Sequence, residues 1–270
     1  MLQYGELLAK LCCTSASDLP PSLAGFHNLF AGNILRQSLL RSGAACQLRW
    51  TCKTNVLQVA LDIMTASIFL FVSFLTGSVP FGLLLVRLAG KGDVRSAGSG
   101  NIGGTNVARV GGKWLGLLTI ILDSSKGFLP VYFAGHFGFG DGTASLAALA
   151  AVLGHVFTPW LRFKGGKGVA TALGAALAFN PLMILPSLAV FIITVLLTRF
   201  VSLGSILGAL TLPIFLLFAK LHFTNMSLIF AVWMVLVSLI IIKHHTNIKR
   251  LLRGVENPLW GNVHKDGADE

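Results

Sequence analysis

Two Gly-rich, basic segments interrupt an otherwise hydrocarbon chain: Ser99 to Arg109, reading SGNIGGTNVAR, and Phe163 to Gly168, reading FKGGKG. Glycine has no Cβ to hold a ligand away from the backbone, so such runs can turn N–H groups toward an oxyanion. Arg109, Lys164 and Lys167 supply the positive charge that an oxyanion needs. The chemistry suited to this combination is phosphate binding at a membrane surface.

Other polar residues narrow the chemistry. Between Met64 and Glu270 the acids are Asp93, Asp123, Asp141, Glu256, Asp266, Asp269 and Glu270, and no two share a loop between apolar runs. Two-metal phosphoryl transfer needs clustered carboxylates, so no metal is expected. In GGKG, Lys167 is followed by Gly168 where a P-loop has its Mg²⁺-binding Ser or Thr, which argues against nucleotide triphosphate hydrolysis. Asp123 and Lys126, at i, i+3 spacing inside an apolar run, are expected to neutralise each other as a structural pair. His155, in GHVFTPW, is read as a general base or as a ring donating to a backbone carbonyl, with the second reading favoured. His244, His245 and Asn247 form a weakly site-like group where the last apolar run ends. The nearby Lys243, Lys249, Arg250 and Arg253 read as topological anchors.

The elements that must position these groups follow from composition. Of 270 residues, 54% are hydrophobic and only 11% charged, and the mean hydropathy is +0.77; soluble domains carry about 25% charged residues. The chain reads as an all-α integral membrane protein. Its net charge of +11 does not indicate a nucleic-acid partner, because the basic residues sit in short breaks between apolar runs rather than on one soluble face. Against a bilayer that needs about 20 residues per helix, spans are expected near 64–89, 114–136, 144–161, 168–180, 182–198, 203–219 and 226–242. The fourth is short and rich in Gly and Ala, as a packed interior helix would be. Lys91, Arg95, Arg109 and Lys113, then Arg162, Lys164 and Lys167, then Arg199, then Lys243, Lys249, Arg250 and Arg253 occupy alternate breaks. The other breaks hold little more than Asp141 and Lys220. The positive-inside rule makes the basic breaks cytoplasmic, giving seven transmembrane helices, a cytoplasmic C-terminus and both Gly-rich loops on the cytoplasmic side.

Residues 1–63 differ from the rest. They hold all four cysteines, Cys12, Cys13, Cys46 and Cys52, in no common zinc or redox spacing, and no run long enough to span. They are expected to be a disordered extension or sequence upstream of the true start, followed by a membrane domain at 64–260 and a polar tail at 261–270.

Six stretches taken together resemble one family. GSVPFG at 77–82, SGNIGGTNVAR at 99–109, DSSKGFLPV at 123–131, GHVFTPWLRFKGGKGVAT at 154–171, RFVSLGS at 199–205 and HHTNIKRLLRGVEN at 244–257 are similar to the successive signatures of the bacterial acyl-phosphate:glycerol-3-phosphate acyltransferases. Three departures mark this chain. Gly104 stands where the family usually has Ala, Lys243 stands where Arg is common, and residues 1–63 have no counterpart.

The resemblance implies transfer of an acyl chain from acyl phosphate to the 1-hydroxyl of glycerol 3-phosphate, giving lysophosphatidic acid and phosphate without a cofactor. It implies a bacterial cytoplasmic (inner) membrane protein with its active site facing the cytoplasm. It also implies functional coupling to an enzyme that forms acyl phosphate. By motif position, substrate phosphate contacts fall on Ser99, Asn101, Arg109, Lys167, Ser205, His244 and Asn247. Lys167, Arg109, Ser99, His244 and Asn247 then carry catalysis, with His155 and Lys164 secondary. An acyl phosphate is already activated, so no nucleophilic side chain is needed; Lys167 and Arg109 would neutralise the leaving phosphate. With no carboxylate well placed, the substrate's own phosphate is the expected proton acceptor, ahead of His155 or His244. The competing reading is a transporter or channel for an organic phosphate, since basic Gly-rich loops among spans could line an anion path.

Overall fold

The computed structural model describes residues 44–218, 223 and 225–259, with side chains from Leu57 onward. The expected tail at 261–270 and most of the expected N-terminal extension lie outside the described residues. The chain divides into two units, residues 1–65 and 66–270. In the first, the described backbone is helical from Ala44, well upstream of the expected span start at Met64. There Gln58 Nε2 donates to Asp62 Oδ1 over one turn at 2.9 Å.

Every regular element among the described residues is helical. α1 (Ala44–Ser78) and α2 (Phe81–Leu88) replace the single span expected at 64–89. Pro80 has no N–H to continue α1, and the carbonyls freed at the break need donors inside an apolar bundle. Thr158 Oγ1 donates to Ser78 O at 2.6 Å, and Lys126 Nζ donates to Val79 O at 2.8 Å. The same ammonium lies 2.7 Å from Asp123 Oδ1, both side chains being almost wholly buried, so the expected internal ion pair forms. Removing one member of such a pair costs about 3–5 kcal/mol, because the other charge is stranded.

After α2 come α3 (Gly104–Gly111), α4 (Lys113–His136), α5 (Asp141–Val156) and α6 (Val169–Phe179). They are followed by α7 (Pro181–Thr198), α8 (Val201–Phe218), α9 (Met226–Lys243) and α10 (His245–Leu252). The first Gly-rich segment is therefore only partly a loop, since Arg109 stands on α3.

Helix pairs close through small residues. A Cβ on Gly127 of α4 would overlap Thr171 O of α6, and one on Gly174 would overlap Ser124 O, so this pair meets backbone to backbone. On α5, Ala144, Ala147, Ala148 and Ala151 are all buried. Trp233 and Leu236 of α9, Met183 of α7 and Leu216 of α8 fill the centre. The outer faces stay apolar: Leu196 and Leu197 of α7 are 65% and 79% exposed, which suits lipid and not water.

Among the described residues, six helical stretches are long and apolar enough to cross a membrane: Leu57–Leu88, Lys113–His136, Asp141–Leu161, Pro181–Thr198, Val201–Phe218 and Met226–Lys243. α6 has 11 residues, so it rises about 16 Å where the hydrocarbon core measures about 30 Å. Its last residue, Phe179, meets Phe223, just before α9, and Trp233, about two turns into it, while its first turn follows the GGKG segment.

Candidate active site

Asn106 ties the first Gly-rich segment together. Its Oδ1 accepts from the Ser99 N–H at 2.8 Å, and its Nδ2 donates to the carbonyls of Val94, Ala97 and Asn101 at 2.9–3.1 Å. The buried amide thus serves as the missing strand partner for an irregular loop. Gly98, at φ +61°, passes so close that a Cβ would overlap Asn106 Oδ1. The chain then enters α3 at Gly104, and Arg109 on its last turn reaches Asn257 O at 3.4 Å.

The second segment folds back on the end of α5. Gly165 N–H donates to Val156 O and Gly166 N–H to His155 O, each at 3.1 Å. Gly168, at φ +83°, reverses the chain into α6. This directs Lys167 inward, where Nζ donates to Asn247 Oδ1 at 2.5 Å. Lys164 is exposed and lies outside the cavity.

The third wall is a network that sequence reasoning missed. Asn247 accepts from Lys167 through Oδ1, so its Nδ2 is the donor to Glu256 Oε1, at 2.6 Å. Glu256 also accepts from Ser202 Oγ and from Arg250 Nε, each at 2.8 Å. Burial pushes the Glu256 carboxyl upward, but the bonds from Arg250, Asn247 and Ser202 outweigh it and hold it below the usual carboxylate range. Glu256 arrives because the chain after α10 turns back, Leu259 N–H donating to Arg199 O at 2.7 Å. The only sequence signal was its place in the motif that follows His244.

Burial lowers the Lys167 ammonium to about 8; Glu256 opposes the shift, and Arg250 and Arg109 add to it. His244 Nδ1 lies 2.8 Å from Ile240 O, and a carbonyl only accepts, so Nδ1 carries the proton and Nε2 keeps its lone pair. Burial, helped by the Lys167 charge, lowers this ring to about 4. His244 is therefore a neutral acceptor over the physiological range.

Ser99, Asn101, Arg109, His155, Lys167, Ser205, His244 and Asn247 all line one cavity of about 340 Å³, joined by Ser202, Arg250 and Glu256. Ile120, Leu173, Leu188, Phe191, Leu212 and Ile240 line the rest of it with hydrocarbon. His155 does not donate to a carbonyl as expected; its Nδ1 faces Asp123 Oδ1 at 3.8 Å. Glu256 corrects the expectation that no carboxylate reaches the site, yet its oxygens already accept three hydrogen bonds. Among the described residues, no group of three His, Cys, Asp or Glu could hold a metal ion.

Helices of membrane-crossing length around a cavity lined by both cationic and apolar side chains define an integral membrane protein. The chain belongs to the glycerol-3-phosphate acyltransferase family, whose profile matches residues 67–254. A glycerol-3-phosphate acyltransferase of Geobacter sulfurreducens is 46% identical over 186 residues, covering 69% of this chain and 93% of the relative. One from Trichlorobacter lovleyi is 47% identical over 195 residues, covering 72% and 98%. The crystal structure of PlsY (YgiH), an integral membrane glycerol 3-phosphate acyltransferase, in its glycerol 3-phosphate form is similar with a TM-score of 0.68 at 39% identity. That match covers 73% of this chain and 96% of the other. The lysophosphatidic acid form of the same protein gives a TM-score of 0.66 at 38% identity, covering 72% and 95%.

Proposed function

We propose that this protein transfers an acyl chain from acyl phosphate to the 1-hydroxyl of glycerol 3-phosphate, releasing lysophosphatidic acid and inorganic phosphate. The observation that carries this reading is the single cavity in which Arg109, Lys167 and Arg250 stand beside an apolar lining. Two phosphates need donors from several directions, and an acyl tail needs hydrocarbon in the same space. The solved neighbour's glycerol 3-phosphate and lysophosphatidic acid forms support the same pairing of acceptor and product.

The glycerol hydroxyl oxygen attacks the acyl carbonyl carbon, and the bond from that carbon to the phosphate oxygen breaks. Lys167 and Arg109 offset the charge growing on the leaving phosphate, while Ser99, Ser205 and Asn247 orient the substrate phosphate. The hydroxyl proton passes to a substrate phosphate oxygen. Glu256 is a poor acceptor, being engaged by three donors, and His244 is weakly basic.

Seven crossings are part of the same proposal. Lys167 just before α6 and Ser202 just after α7 both belong to the polar part of the cavity, whose apolar part α6 and α7 help to line, so one of these helices must lead outward and the other back. The meeting of Phe179 with Phe223 and Trp233 supports α6 as the outward leg, a short helix completed by its flanking segments. The basic breaks then face the cytoplasm of a bacterial inner membrane, where an acyl-phosphate-forming enzyme supplies the donor. Residues 64–260 form the acyltransferase domain.

Radiolabelled glycerol 3-phosphate and acyl phosphate offered to purified protein in vesicles test the reaction. Label appearing in lysophosphatidic acid is expected. Label accumulating inside the vesicles unconverted would instead establish a carrier.

A further inference from the structure

The loop that delivers Lys167 rests on a buried polar cluster that the reaction above does not use. His155 closes α5, its side chain 4% exposed, and its carbonyl accepts the Gly166 N–H. A Cβ added to Gly166 would overlap His155 Nε2, so the ring lies directly behind the Gly166 backbone with no space between. The other ring nitrogen, Nδ1, is buried without a hydrogen-bond partner and stands 3.8 Å from Asp123 Oδ1. Asp123 is in turn fixed by Lys126, which is tied to Val79 O at the break between α1 and α2.

We propose that His155 is a positioning residue for Lys167: its ring props the Gly166 backbone from inside the bundle, and Asp123, fixed by Lys126, orients that ring. His155 borders the cavity, but its Nδ1 is buried beside Asp123 and its Nε2 lies against the Gly166 backbone, so the ring is assigned no role as base for the substrate hydroxyl. Asp123 and Lys126 already neutralise each other without it. A polar ring with an unpartnered buried nitrogen costs stability that an apolar side chain of similar size would not. Proximity to a carboxylate gives that cost a return, because Asp123 at 3.8 Å from Nδ1 favours the ring orientation on which the Gly166 backbone sits. Lys167 is the next residue, so a tilt of this plane moves its ammonium relative to the phosphate. Displacements of about 1 Å at a catalytic group cost up to about 100-fold in rate.

This inference rests on the acyltransferase reading, and a double-mutant cycle tests it. kcat and KM for glycerol 3-phosphate and the thermal midpoint are measured for wild type, His155→Ala, Lys167→Ala and the double variant. We expect His155→Ala to lower kcat about 10-fold or more with its thermal transition retained, and to cost less than about twofold once Lys167 is Ala. An equal loss in both backgrounds, or a wild-type kcat/KM in His155→Ala, would overturn the proposal. Should His155→Ala not accumulate folded, His155→Asn takes its place under the same criterion, keeping an N–H toward Asp123 but no ring behind Gly166. Failure of both variants to fold would show a structural role and also overturn it. Wild-type protein that leaves glycerol 3-phosphate unacylated refutes the functional reading itself, before any variant is compared.

Discussion

At the scale of single residues, the account turns on which cations face the substrate. Lys167 and Arg109 line the cavity and Lys164 does not, so Lys167→Ala and Arg109→Ala are each expected to lower kcat/KM by about 100-fold or more, while Lys164→Ala costs less than about threefold. Steady-state assays of the three variants check this, and equal mild losses would reduce the loops to anchors for anionic lipid. A pH profile gives a second check. Lys167 offsets phosphate charge only when protonated, and burial lowers it to about 8. kcat/KM should therefore fall as pH rises through about 8, by about tenfold per unit beyond it, and Lys167→Arg should move that limb upward. A wild-type profile flat to about pH 9.5 would contradict the role of Lys167. The basic and Gly-rich members of the site were legible in the sequence, because glycine and cations are conspicuous among apolar runs. Glu256, Ser202 and Arg250 were not. They become neighbours only when the chain after α10 folds back to Arg199, a long-range step with no local pattern.

At the scale of elements, helix limits follow apolar runs closely, since the ends are set where charge first appears. Expected spans at 114–136 and 226–242 correspond to Lys113–His136 and Met226–Lys243. The sequence did not disclose the break in the first span at Pro80. A lone proline can be absorbed within a helix, as Pro130 is in α4, and whether it breaks one depends on donors such as Thr158 and Lys126. The α4–α6 contact gives a paired prediction. Gly127→Val forces atoms into the Thr171 backbone and should destabilise by more than about 3 kcal/mol or abolish folding. Gly135→Ala on the same helix meets nothing within 4 Å and should be neutral or stabilising by up to about 1 kcal/mol. Thermal midpoints in detergent compare the two, and a tolerated Gly127→Val would mean the helices do not meet as closely as described.

At the scale of the whole molecule, the site forms where the ends of α5, α7 and α9 and the starts of α6 and α8 converge, so its orientation follows from topology. A reporter fused after Glu270 should read as cytoplasmic and one inserted beside Asp141 as external, and the opposite pair would overturn the seven-crossing arrangement. The expected direction rests on the spacing of Lys and Arg; the backbone-to-backbone contact of the 11-residue α6 with α4 was not legible there. Donor choice also belongs at this scale. The breaks between helices are short, leaving little surface to grip an adenine nucleotide or a carrier protein, whereas a bare phosphate on a lipid tail needs a few donors beside a groove. A His-x₄-Asp spacing, common in acyltransferases that use thioesters, occurs at His136 and Asp141, but these lie at the turn between α4 and α5, outside the cavity. It also occurs at His264 and Asp269, outside the described residues. The most direct test offers purified protein radiolabelled glycerol 3-phosphate with acyl phosphate, acyl-coenzyme A or acyl-carrier protein at matched concentration. The account predicts labelled lysophosphatidic acid with acyl phosphate alone; turnover with acyl-coenzyme A equal to that with acyl phosphate, or none with acyl phosphate, would contradict it.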